Sequence, residues 1–141
     1  MTLETLATKL ESAKTGTDIE QVIFDFADYL NTDRGKVYPV VLWNLTGIKG
    51  IADLREGSRE LEVDVFCIIG VTPEDDVKLS RLQNWDDCET YLQAYLDEVN
   101  DQDDLSIPDL NNVEFEYYPA GLLSVDRELG VRYRVTLKLW C

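Results

Sequence analysis

The 141 residues contain no histidine. That removes the commonest general base, the usual imidazole metal ligand and the Ser-His and Cys-His routes to an activated nucleophile. Cysteine is scarce too: Cys67, Cys88 and Cys141 are an odd number at wide spacing, which fits buried, inert thiols and not a disulfide framework or zinc site. No apolar run approaches the roughly 20 residues that span a bilayer, so a soluble chain with no membrane role is expected. The opening MTLETLATKL mixes acids with apolar residues and lacks the order of a signal peptide, so synthesis in the cytoplasm is expected. Basic residues are few, 13 against 28 acidic, for a net charge of −15. Affinity for duplex DNA comes from Lys and Arg releasing counterions from phosphate, so this balance argues against direct nucleic-acid binding.

With 45% hydrophobic and 10% aromatic residues, the chain has enough apolar surface for a packed core, and its length suits a single domain over 1–141. Leu3, Leu6, Ala7 and Leu10 recur at helical spacing and predict a helix ending near Lys14. Asp18 then caps a second set, Ile19, Val22, Ile23, Phe26, Ala27 and Leu30, which predicts a helix to about Asn31 and makes 1–31 a helical N-terminus. The β-branched and aromatic content of Val22 to Phe26 also suits a strand. Val37 to Trp43 is a short, nearly continuous apolar run expected to form a strand, with Pro39 near its start. Residues 45–58, with Gly47, Gly50 and Gly57 between Ile48, Ile51 and Leu54, read as a long hairpin loop.

Arg59 to Val71 alternates, with Leu61, Val63, Val65, Cys67, Ile69 and Val71 on one face and Glu60, Glu62, Asp64, Phe66 and Ile68 on the other. Thr72, Pro73, Glu74 and Asp75 combine a capping hydroxyl, a proline and acids suited to a helix start. Asn84 offers a second cap that would break this helix. Its expected buried stripe is Leu82, Trp85, Cys88, Leu92, Tyr95, Leu96 and Val99. Val113 to Tyr118 and Val131 to Trp140 close the chain as strands. The basic face of the last, Arg132, Arg134 and Lys138, is expected to pair with Glu114 and Glu116, or with Glu60, Glu62 and Asp64. The expected architecture is α+β, an antiparallel four-stranded sheet covered on one face by helices, in the order α-α-β-β-α-β-β.

Charge is concentrated in 72–112, an acidic helix and loop with twelve acidic and two basic residues. Such a segment serves as a solvated face that keeps the chain soluble, or as a surface that repels an anion or attracts a basic partner. Asp101, Asp103, Asp104 and Asp109 lack the glycine and bidentate Glu of a calcium loop, and Leu105 stands where an oxygen would be needed, so no metal is expected. Glu74, Asp75 and Asp76 sit where helix starts favour acids, which explains them better than a paired-carboxylate mechanism. Gly47 and Gly50 lack the residues that complete a phosphate-binding loop. No catalytic residue, no cofactor and no enzymatic activity are expected. Trp140 falls on the polar face of its strand and is the expected interface anchor.

The element pattern resembles the tail-completion proteins of tailed bacteriophages, the tail-terminator and head-to-tail joining group. The residues that carry the likeness are the helical N-terminus, KVYPVVLWN, LTGIKGIADLREGS, RELEVDVFCIIGV, the acidic helix RLQNWDDCETYLQAYLDEV, and the closing pair NVEFEYYP and GVRYRVTLKLWC. The resemblance implies a virion structural protein at the neck or tail, a hexameric or dodecameric ring that contacts neighbouring phage proteins around the DNA channel. Under it, Ile48, Ile51, Leu54 and Arg55 pack on an adjacent subunit or ring. Asp97, Glu98, Asp101, Asp103 and Asp104 would then face the channel, which passes duplex DNA without binding it. The competing expectation from the same charge is an acidic inhibitor or immunity protein that mimics DNA.

Overall fold

A computed structural model describes residues 1–31, 36–71, 78–119 and 128–140. It is α+β with a mostly antiparallel, mixed sheet. The elements are α1 (Leu3–Ser12), β1 (Gln21–Phe24), α2 (Phe26–Asn31), β2 (Val40–Asp53), β3 (Ser58–Gly70), α3 (Lys78–Asn100), β4 (Leu105–Ser106), β5 (Glu114–Tyr118) and β6 (Glu128–Trp140). The six described strands run β1-β2-β3-β6, with β4 and β5 both on the far side of β6, so the sheet is larger than the expected four strands. Among the described strands only the β1–β2 pair is parallel.

α1 begins at Thr2, whose side chain accepts from the Thr5 amide (3.1 Å), and it buries Leu6 and Leu10. The predicted second helix is half replaced by a strand. As helical neighbours, Val22 and Ile23 would share one stripe. As strand neighbours they point to opposite faces, and both are buried, Val22 in the main core and Ile23 in a second core across the sheet. The strand ends at Asp25, which takes the left-handed conformation (φ 77°) and donates its amide to the Trp43 carbonyl at 2.7 Å. Only Phe26–Asn31 remains helical.

The expected loop at 45–58 is mostly strand. β2 continues to Asp53 and pairs with β3 beyond an irregularity between Asn44 and Lys49, leaving a turn at 54–57. The first half of β3 carries amides and carbonyls that need a ladder partner, and the continued β2 supplies it. Gly50 permits the close approach: a Cβ there would lie 2.4 Å from the Glu60 carbonyl oxygen.

β3 and β6 pair along their whole length, from Ser58 opposite Trp140 to Gly70 opposite Glu128. The predicted alternation of β3 holds. Val63, Val65 and Cys67 join the main core with α1 and α3, while Phe66 and Ile68 join the second core with Val40, Leu42 and Tyr29 of α2. Helices therefore lie on both faces, and the expectation of a single covered face is corrected. α3 runs unbroken through Asn84, and Leu82 is exposed, whereas Cys88, Leu92, Tyr95, Leu96 and Val99 are buried as expected. The expected cap at Thr72 to Asp75 and residue Cys141 lie outside the described residues. Both ion-pair alternatives for β6 occur together: Arg132 reaches Asp64 (3.8 Å) and Glu116 (3.2 Å), and Arg134 reaches Asp64 (3.0 Å) and Glu62 (3.5 Å).

Candidate functional site

The sheet has two differently built halves, and the registers locate them. At one end, β1, β2, β3, β6 and β5 lie side by side. At the other, the distal part of β2 is an outer strand, followed by β3, β6 and β4. β1 pairs only with residues 40–43 of β2, so among the described residues the outer edge of Lys49–Asp53 has no strand partner. Among the described residues β5 pairs only with β6, so its outer edge has no strand partner there either. These two edges lie on opposite sides of the sheet, beside the outer strands β1 and β4.

Among the described residues, the β2–β3 hairpin carries the two most exposed large apolar side chains. Ile51 is 76% and Leu54 91% exposed. The Asp53 carboxylate shapes the turn by accepting from the amides of Arg55 (3.0 Å) and Glu56 (3.3 Å). Arg55 is exposed at the tip. Ile48 departs from this group, because it packs against the main core. Trp140 is half-buried, with the Lys138 ammonium 5.1 Å from its ring centroid. It lies opposite Ser58, itself opposite Asp53, so Trp140 and the hairpin tip share one end of the sheet.

β5 presents a different chemistry. Phe115 and Tyr117 project toward α3. Tyr117 stacks on Trp85 (centroids 5.1 Å apart) and donates to the Glu89 carboxylate at 2.9 Å, and Phe115 packs edge-on against Tyr117 at 5.2 Å. Burial first, and then the Glu89 carboxylate, push the Tyr117 phenol up to about 12. The Trp85 indole donates to the Tyr118 carbonyl (3.1 Å), tying the strand to the helix. Between α3 and β5 lies a groove of about 470 Å³ lined by Glu89, Gln93, Asp97, Asn111, Phe115 and Tyr133, among others. Phe115 is 51% exposed at its rim. On the opposite face, Glu114 and Glu116 reach Arg132.

Of the five expected channel-facing acids, all are exposed. Asp97 lines the groove, Glu98 is exposed on another face of α3, and Asp101, Asp103 and Asp104 occupy the turn after the helix. Asp104 has φ 62°, and its carbonyl accepts from the Trp140 amide (3.0 Å), which brings this turn to the hairpin end of the sheet. Among the described residues, no group of three or more Cys, Asp and Glu is placed to hold a metal ion, and no helix is long and apolar enough to cross a membrane.

A buried polar cluster has no counterpart in the sequence reading. Glu128 is fully buried and accepts from the hydroxyls of Tyr29 and Tyr38, with the Lys36 ammonium 3.7 Å away and 3.8 Å from the Tyr29 ring centroid. The cluster joins α2 and the approach to β2 with the start of β6. Its only sequence signal is an acid directly before the apolar run Leu129 to Val131. No protein-family model matches the chain, and no curated protein matches it.

Proposed function

We propose that this chain is a structural subunit of a ring at the neck or tail of a tailed-phage particle, joining neighbouring components around the channel that passes the genome. The observation that carries the reading is the hairpin arm, which holds Ile51 and Leu54 in water at one end of the sheet. An exposed apolar pair at the outer edge and turn of the β2–β3 hairpin is costly to leave uncovered and is suited to docking on a neighbour. The acids support the channel role. α3 ends with Asp97 and Glu98 in its last turn and no basic residue there. Carboxylates at a helix C-terminus oppose the dipole, at about 0.3–1 kcal/mol each. Helix stability therefore does not account for their placement, whereas repulsion of a passing phosphate backbone does.

The same exposed carboxylates favour a second reading, an inhibitor that occupies a basic groove in place of DNA. Light scattering coupled to size exclusion separates the two. The ring reading expects an oligomer, on its own or once a particle component is added, and expects Ile51→Ser with Leu54→Ser to give a folded monomer. A monomer that stays monomeric and binds tightly to a nuclease would overturn it.

A further inference from the structure

Resting on the ring reading, we infer that the open edge of β2 in one copy pairs with the open edge of β5 in the next, continuing the sheet from subunit to subunit. The partner is a second copy of this chain because the two edges are unlike and complementary. Lys49 and Arg55 are exposed on the hairpin, and among the described residues neither makes an ion pair. β5 carries Glu114 and Glu116, both exposed. The sizes match as well. On the face that carries α1 and α3 the β2 edge has only Gly50 and Ala52 beside a hollow of about 180 Å³, and β5 presents the exposed ring of Phe115 on that same face. A large ring laid over a glycine on the neighbouring strand is a favourable cross-strand arrangement.

The strand directions also agree. β2 and β6 are each antiparallel to β3, and β5 is antiparallel to β6, so β5 runs opposite to β2. Copies related by rotation about an axis along the strands therefore bring β5 to the next β2 in antiparallel fashion. Placing Phe115 opposite Gly50 then places Glu116 opposite Lys49 and Glu114 opposite Ile51, so one further ion pair forms on the face away from α1 and α3, beside Arg132, which already reaches both glutamates. This register also fixes the stagger between copies. Gly50 is level with Leu137 of β6 through Leu61, whereas Phe115 is level with Tyr133, four residues earlier. A stagger of four residues over the four strands β2, β3, β6 and β5 tilts the strands by about 35°, within the range of closed barrels.

The test uses the full chain with two variants whose changes lie on exposed positions. Lys49→Glu with Ile51→Glu disables the β2 edge and leaves β5 intact. Phe115→Glu disables β5 and leaves the β2 edge intact. Circular dichroism checks that each is folded; if either is not, Ile51→Glu alone or Phe115→Ser takes its place. The wild type is expected to assemble in light scattering, each variant to need about 100-fold higher concentration, and an equimolar mixture to form a dimer and stop there. Variants that assemble like the wild type, or a mixture that stays monomeric, overturn the edge pairing and leave the ring reading standing. A wild-type chain that never assembles, even with particle components, removes both.

Discussion

Replacing Tyr95 by Phe removes one oxygen from the main core without changing its shape. That hydroxyl donates to the Leu10 carbonyl of α1 (2.6 Å) and accepts from the Trp43 indole of β2 (3.0 Å), and all three residues are fully buried. Leu10 sits in the last turn of α1, where carbonyls lack an intrahelical donor, so Tyr95 acts as a cap reached from another helix. The Tyr95→Phe variant would leave two buried polar groups unsatisfied, at about 1–3 kcal/mol each. A total near 3 kcal/mol is a large fraction of the about 5–15 kcal/mol that holds a domain of this kind folded. It should lower the urea midpoint by about 1–2 M at an unchanged slope. The assay is equilibrium unfolding followed by tryptophan fluorescence and circular dichroism, with Tyr117→Phe as the exposed comparison, expected to cost no more than about 1 kcal/mol. A double-mutant cycle with Trp43→Phe should show coupling, since the second change then strands one group fewer. A Tyr95→Phe loss below about 0.5 kcal/mol, within the range of an ordinary surface change, would refute the capping role.

Alkaline pH should act through the same region. The Cys67 thiol is held above its ordinary value by its hydrogen bond with Cys88 and by burial, and burial holds the Tyr95 phenol above its own. The folded state thus keeps protons that the unfolded chain releases, and stability should fall as pH rises past 9.0 and then 10.0, by about 1.4 kcal/mol per pH unit for each group. Urea titrations at several pH values check this, and Tyr95→Phe should flatten the upper part of the curve. Glu128→Gln should cost about 3 kcal/mol by neutralising the carboxylate beside the buried Lys36 ammonium, which thermal unfolding checks. Gly130→Ala places a Cβ 2.5 Å from the Cys67 carbonyl in the central ladder and should lower the melting temperature by at least about 4 °C.

Periodicity made the long regular elements legible. β3, β6 and most of α3 show their faces directly, because each residue in them answers to a single core or to solvent. The same reading failed in β1, whose four residues are too short a run for the period to show. Val22 and Ile23 satisfy a helical stripe and a strand equally well, and only the second core across the sheet decides between them. Residues 45–53 looked like a loop because Gly47 and Gly50 read as breakers. Gly50 is required by the close passage of the Glu60 carbonyl, a constraint that arises from the partner strand. Of the candidate site, the exposed Ile51, Leu54 and acidic turn were visible as composition. The Glu128 cluster and the aromatic ridge from Trp85 to Phe115 were not, because both are assembled from segments distant in the chain. Their members carry no shared spacing.

The uninterrupted β3–β6 ladder divides the molecule into parts with different lifetimes of opening. Amide protons shared between those two long strands should exchange with solvent only when the entire domain opens, on the slowest timescale available to it. Amides on the outer margins, at Lys49 to Asp53 and Phe115 to Tyr118, require only local fraying and should exchange orders of magnitude sooner. Deuterium uptake on the isolated chain would therefore map a slow spine flanked by two fast borders. In an assembled particle, slowing confined to those borders would identify which parts of the chain had gained new neighbours.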